Sequence, residues 1–218
     1  MFSTESKQTV LTRLCPGSSA KSNRGFTIVE VMVSVMIFSI GLIGVARLQV
    51  VAKQSNYDAV QRVTATTIAQ DLLSKMRANN GSLNTYVADT GTNQINYDDA
   101  TSQPAPVCTG ANTCNAEQLA SQDLWAVEQD LVGVAEQDSD GNSVGGLTLP
   151  TLCITAVDED GNVESGGESG IYTVAIAWRG KAALSNPTAN TCGSATGLYG
   201  TNNEYRRLLV FSTFITTM

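Results

Sequence analysis

The chain has 218 residues and a formal net charge of −7, which is enough for one globular domain with an appendage. Residues 1–25 hold four basic side chains and one acidic side chain, so residues 26–218 carry a net charge of −10. An acidic body of this kind lacks the basic patch that nucleic acids require, and we expect no nucleic-acid partner. The sequence has no histidine, which excludes Ser-His and Cys-His nucleophile pairs and histidine-containing metal sites.

A long apolar segment follows the basic start of the chain. Residues 26–46 form a run of 21 residues with a single charge, Glu30. As a helix rising about 1.5 Å per residue, the run would span about 31 Å, the thickness of a bilayer's hydrocarbon core. Lys21 and Arg24 lie just before it, so we expect the amino-terminal side to stay cytoplasmic and the remainder to face outward.

Three interpretations of this segment compete. It could be a permanent transmembrane anchor, in which Glu30 has no evident use, or a secretory signal cleaved after Ala46. In the third interpretation the chain is cut after Gly25 and the apolar helix stays on the mature protein. That cut would create a free amine on Phe26, and Glu30 of one helix could then neutralise the amine of a neighbour in a staggered bundle.

An amphipathic pattern continues the helix beyond Ala46. The sequence Asn79-Asn80-Gly81 is a plausible stop, so the predicted helix runs over residues 26–80. Residues 81–114 are rich in Asn, Thr, Gly, Asp and Ser and predict an irregular connection. The apolar positions that recur at roughly helical spacing before the stop are Val60, Val63, Ile68, Leu72 and Met76.

The rest of the chain predicts one helix followed by strands. Asn115 is a suitable cap for a helix, with Gln118 three residues later. An apolar stripe follows at Ala120, Leu124, Val127 and Leu131. Strand-like segments cover residues 152–157, 171–178 and 206–217, and residues 158–162 predict a hairpin turn. Antiparallel pairing with the helix on one face gives an α+β head.

The five cysteines indicate on which side of the membrane the body of the protein lies. Cys15 lies in the basic leader, and the even set downstream predicts two disulfides outside the cytoplasm, in agreement with the expected topology. Three connectivities are possible, and sequential pairing is favoured because its first pair closes a short loop. A four-thiolate zinc site needs closely spaced ligand pairs, which the downstream cysteines do not supply. These four residues are Cys108, Cys114, Cys153 and Cys192.

Two acidic loops invite comparison with calcium sites. Residues 136–142 approximate the first half of an EF-hand loop, but Leu147 stands where the bidentate glutamate is required. Residues 158–164 are also acidic, but their glycine is misplaced for that template. Turn chemistry explains both loops, so we expect no cofactor and no metal, with calcium as the alternative that is not favoured. No catalytic residue is predicted, because nothing places two carboxylates around a cleft.

Residues 24–30, RGFTIVE, and the apolar helix after them resemble the processing signal of type IV pilins and pseudopilins. The resemblance implies that a prepilin peptidase cuts between Gly25 and Phe26 and methylates the new amine, and that Glu30 serves in subunit docking. It implies the α+β type IV pilin fold, in which a long amino-terminal helix packs on an antiparallel sheet. The implied parts are a removed leader at 1–25, a helix at 26–80 whose residues 26–46 cross the membrane, and a head at 81–218.

Later segments resemble the PilV group of minor pilins. They include residues 41–49, 75–79 and 114–125 and the Tyr205-Arg206-Arg207 triplet, whereas the insert at 136–146 is not part of the resemblance. This likeness implies a minor pilin of a priming or tip complex that initiates pilus assembly and supports twitching motility and adhesion. The implied partners are prepilin peptidase, other minor pilins, the major pilin and a tip adhesin, with the inner membrane as the reservoir before export to the pilus.

Two other functions compete with this one. A minor pseudopilin of a type II secretion system would share the processing signal and the helix. A membrane-anchored periplasmic enzyme has weak support, because the sequence offers no nucleophile–base set.

Overall fold

A computed structural model describes residues 25–88, 95–96, 102–109, 112–140, 143–158, 163–164 and 167–217. The predicted leader therefore lies outside the described residues except for Gly25. The first helix, α1, spans Ile28–Ala78. The chain divides into two compact units between Leu48 and Gln49.

The described part of the first unit is the apolar half of α1. Its side chains are exposed, and α1 is long and apolar enough to cross a bilayer. The hydroxyls of Ser34 and Ser39 donate to the carbonyl oxygens of Glu30 and Val35, each at 2.7 Å. Because these hydroxyls are satisfied within the helix, they remain compatible with an apolar environment.

In the second unit, one face of α1 is buried, but it is not the predicted face throughout. Val60 and Val63 are 62% and 66% exposed, so their assignment to the buried stripe was wrong. The buried face begins instead at Gln61 and continues in steps of three and four residues. This face consists of Gln61, Ala65, Ile68, Ala69, Leu72, Leu73 and Met76.

The segment after α1 also corrects the prediction. The helix ends at Ala78, close to the predicted stop, but residues 81–114 are not irregular throughout. A 3₁₀ turn at Asn80–Ser82 leads into α2, Leu83–Ala88, and a short strand β1, Ile95–Asn96. The prediction missed α2 because the segment is mostly polar. Its apolar residues Leu83, Tyr86 and Val87 form a short stripe that is buried in the core.

The predicted helix after Asn115 is present as α3, Ala116–Val132. Asn115 and Gln118 form the complete capping box, and the predicted stripe at Ala120, Leu124, Val127 and Leu131 is buried. At the other end, Gly133 adopts a left-handed conformation with φ 72°, and its N–H donates to the carbonyl of Gln129 at 2.9 Å. Local capping thus defines both ends of α3.

One antiparallel sheet completes the head. Its long strands are β2 (Thr151–Val157), β4 (Gly170–Arg179) and β5 (Arg206–Ile215), in agreement with the predicted strands to within two residues. The strand order is β1-β2-β4-β5, and the short β3, Val163–Glu164, pairs with β2. The hairpin turn predicted at 158–162 falls between the paired strands β2 and β3, but residues 159–162 lie outside the described part of the chain.

The core lies against one face of this sheet. Alternate residues of β4 are buried together with the apolar face of α1 after Gln61, α2 and the stripe of α3. This alternation follows from the period of two in a strand. The residues of β4 that join the core are Tyr172, Val174, Ile176 and Trp178.

Candidate assembly site

The start of α1 is defined by Thr27. The Glu30 N–H donates to Thr27 Oγ1 at 3.3 Å, and the Val31 N–H donates to the Thr27 carbonyl oxygen at 3.2 Å. These are the two bonds that an N-cap residue makes. Gly25 and Phe26 precede the helix, and Phe26 is 82% exposed. The predicted scissile bond therefore lies immediately outside the helix.

Glu30 has two candidate roles in this geometry. The spacing Thr27-x-x-Glu30 is also that of a capping box, a role within the chain that the sequence interpretation overlooked. Only one half of that box forms, since the described residues offer the Glu30 carboxylate no hydrogen-bond or ion-pair partner. The carboxylate remains available to a second molecule, in the first turn where the helix dipole favours an acid.

A shallow groove runs along this part of the helix. Its lining is apolar apart from Glu30 and Ser34, and the Ser34 hydroxyl is already bonded within the helix. An apolar helix from another subunit could pack here, with a cationic group placed against Glu30. The lining residues are Phe26, Glu30, Val31, Ser34, Val35 and Phe38.

Two disulfides stabilise the head. Cys108 pairs with Cys114, and Cys153 of β2 pairs with Cys192. This is the sequential pairing that the sequence favours. The second disulfide packs with Ala175 in a small cluster separate from the main core. It fixes the long connection between β4 and β5 to the sheet.

Arg206 also holds this connection, a role that the sequence did not reveal. It is 2% exposed. Its Nη1 donates to the carbonyl oxygens of Cys192 at 2.6 Å and Asn190 at 3.0 Å. Its Nε donates to Asn186 Oδ1 at 3.1 Å, and its Nη2 donates to the carbonyl of Pro187. Burial lowers the pKa of the Arg206 guanidinium. The burial of Arg206 could not be predicted from the sequence. Arginines are almost always exposed, and no periodic pattern marks the exceptions.

Tyr199 anchors the connection beside the disulfide. Its hydroxyl lies 2.8 Å from Thr151 Oγ1 and donates to the carbonyl oxygen of Leu149 at 3.0 Å. The side chain is fully buried, and burial raises the pKa of Tyr199 to about 12. The connection is therefore fixed by a disulfide, a guanidinium and a phenol.

The first acidic loop shows turn chemistry where it is described. The Asp140 N–H donates to Asp138 Oδ1 at 2.9 Å, which is an Asx turn. No group of three or more Cys, Asp or Glu residues within the described part of the chain is arranged to hold a metal ion. Residues 141–142 and 159–162 of the two loops lie outside that part.

Comparison with known families bears on both the helix and the head. The model of the prokaryotic N-terminal methylation motif matches residues 20–46. The Tt1218-like model, described as type IV pilin Tt1218, matches residues 47–125. No curated protein and no solved structure matches the chain significantly.

The long apolar helix packed with an antiparallel sheet and these two matches support a type IV pilin-like protein. Its methylation motif implies processing by prepilin peptidase and assembly with other pilins. The apolar helix and the motif are consistent with membrane anchoring. A pilin-type function is that of a structural subunit, so the matches favour a non-enzymatic role.

Proposed function

We propose that the protein is a minor pilin of the type IV pilus, similar to the PilV group, that enters a priming or tip complex through α1. The observation that carries this proposal is the position of Glu30. An exposed carboxylate without a partner among the described residues lies five positions after Gly25, and the predicted cut after Gly25 falls just outside the helix. A charge in an apolar segment is costly unless another molecule neutralises it.

Docking follows from this chemistry. Cleavage of the Gly25–Phe26 amide by water leaves a carboxylate on Gly25 and an amine on Phe26. Before assembly, the inner membrane holds the apolar helix with the head in the periplasm. In the complex, Glu30 pairs with the amine of a neighbouring subunit while the apolar groove residues pack against its helix. The head, fixed by its two disulfides, contacts other minor pilins, the major pilin and a tip adhesin.

Mass analysis of the mature amino terminus tests the processing step. We expect N-methyl-Phe26 as the first residue; a mature chain that begins at Arg47 would contradict the proposal. Deletion of the gene then separates a minor pilin from a minor pseudopilin of type II secretion. A minor pilin predicts loss of surface pili and twitching with normal protein secretion. Retained piliation with defective secretion supports the pseudopilin.

A further inference from the structure

The first turn of α1 that contacts the head does so through polar groups. Tyr57 Oη lies 2.6 Å from Thr148 Oγ1. Four residues later, Gln61 Nε2 donates to the carbonyl oxygen of Gly146 at 2.8 Å, and Gln61 Oε1 accepts from the Thr148 N–H at 3.0 Å. One turn of helix thus grips a single short loop, residues 146–148, by three hydrogen bonds.

Charged groups reinforce this turn from the loop after β4 and from β5. Lys181 Nζ lies 4.1 Å from the centroid of the Tyr57 ring. Arg207 Nη2 lies 3.7 Å from Asp58 Oδ2 and also donates to the carbonyl of Ala182 at 2.8 Å. The Asp58 side chain is 32% exposed. The Arg207 side chain is 14% exposed, and because salt screens part-buried charges only in part, these contacts should weaken modestly as ionic strength rises.

The receiving loop is itself held in place. The Leu147 N–H donates to the carbonyl of Leu131, and the carbonyl of Thr148 accepts from the Arg179 N–H, each at 2.8 Å. Gly146 adopts φ 70°, and an added Cβ would lie 2.5 Å from Gly133 N. The loop can therefore stay in position when the helix turn leaves it.

The parts of α1 before and after this turn differ from it in their surroundings. From Ala65 onward, the inner face of α1 is part of the apolar core. Before Tyr57, residues 49–56 are exposed. We propose that residues 57–61 form a polar latch, which opens from loop 146–148 while the core from Ala65 to Met76 stays packed. Opening lengthens the part of α1 that is free of the head by about one turn.

Hydrogen exchange of three amides in the full chain, held in detergent micelles, tests the latch. The Thr148 amide reports the latch because its acceptor is Gln61, whereas the Leu147 and Arg179 amides report the loop. After correction for intrinsic rates, we expect the Thr148 amide to exchange at least about tenfold faster than the other two. Equal rates for all three amides would overturn the proposal.

Tyr57→Phe removes the hydroxyl from the latch but keeps the ring beneath Lys181. We expect exchange at Thr148 to rise about fivefold, the equivalent of one hydrogen bond, with no change at Leu147 or Arg179. A common rise at all three amides, or no rise at Thr148, would overturn the latch. The matched control is Lys75→Gln, which breaks the Asp71–Lys75 ion pair of the core-bound part of α1 and should leave Thr148 unchanged.

Salt provides an independent measurement. Raising NaCl from about 0.05 M to about 0.5 M should speed exchange at Thr148 in the wild type. The salt weakens the Asp58–Arg207 ion pair and the contact of Lys181 with the Tyr57 ring. Asp58→Asn should reduce this salt response, since it removes one of the screened charges. The proposal is contradicted if salt accelerates Thr148 equally in both proteins, or accelerates all three amides together.

Discussion

Arg206 Nη1 lies 2.6 Å from the carbonyl oxygen of Cys192, so one buried guanidinium grips the residue that a disulfide also ties to β2. The other acceptors of Arg206 belong to residues 186–190. The connection between β4 and β5 is therefore held by the planar guanidinium group, whose N–H groups donate mainly to backbone carbonyl oxygens. A side chain without that fork cannot satisfy the same set of acceptors.

Arg206→Lys should accordingly lower the free energy of unfolding by about 2–4 kcal/mol, because an ammonium cannot place donors on the same four acceptors, of which the Cys192 carbonyl is buried. The neighbouring Arg207→Lys is the matched control. Arg207 makes one carbonyl contact and a long ion pair, so its replacement should cost about 1 kcal/mol or less. Denaturant unfolding of both variants checks this, and equal losses would refute the special role of Arg206.

The two disulfides should differ in their effect on stability. Cys153–Cys192 joins residues 39 apart and Cys108–Cys114 residues 6 apart. In the chain-entropy model, loss of the longer closure costs about 4 kcal/mol and loss of the shorter about 2 kcal/mol. We expect the double Ala variant of Cys153 and Cys192 to unfold at a clearly lower denaturant concentration than that of Cys108 and Cys114. The reverse order would contradict the prediction.

Gly133 is required for both its conformation and its space. It has φ 72°, and an added Cβ would lie 2.2 Å from the carbonyl carbon of Gly145. Gly197 also has φ 72°, but nothing lies within 4 Å of the added atom. Gly197→Ala should therefore cost about 1 kcal/mol for conformation alone, and Gly133→Ala at least about 3 kcal/mol because of the clash. Thermal unfolding of the two variants measures the difference, and similar melting temperatures would disprove it.

Alkaline pH should destabilise the head through its buried phenols. Burial raises the pKa of Tyr199 to about 12, from an ordinary value of 10.0, and also raises the pKa values of Tyr86 and Tyr172. The unfolded state then loses its protons first, so stability is fully present below pH 10 and falls as the pH rises toward 12. For Tyr199 the loss is roughly 2–3 kcal/mol.

Tyr199→Phe removes one of these groups and should flatten the decline. We expect the variant to be less stable than the wild type at pH 8, where it lacks the hydrogen bonds to Thr151 and Leu149. The stability difference should narrow between pH 10 and pH 12. Unfolding curves across this range test the prediction, and a difference that is constant with pH would count against it.

Glu30 should matter for assembly and not for cleavage. Glu30→Gln keeps the size of the side chain but removes the charge, so we expect normal removal of the leader and at least about tenfold less incorporation into pili. Glu30→Asp retains the charge and should restore part of the incorporation. Mass analysis and immunoblots of sheared pili provide the two measurements. Incorporation of Glu30→Gln at the wild-type level would contradict the docking role.

The sequence by itself determined the features that depend on neighbouring residues. The apolar run, the Asn115 capping box, the stripe of α3 and the three long strands all follow from periodicity or from side chains a few residues apart. The motif at 24–30 is equally local. The sequential disulfides also followed from spacing, because the first pair closes a short loop. These features could be predicted because each depends on the periodicity, composition or spacing of residues along the chain.

Only the tertiary structure decided which polar groups would be buried. Gln61 takes the place expected of Val60 on the inner face of α1 because its partners lie 85 and 87 residues away in the chain. Arg206 is buried because loop carbonyls converge on it, and α2 forms where its three apolar residues reach the core. Such positions depend on contacts between distant segments, which local periodicity and composition do not encode.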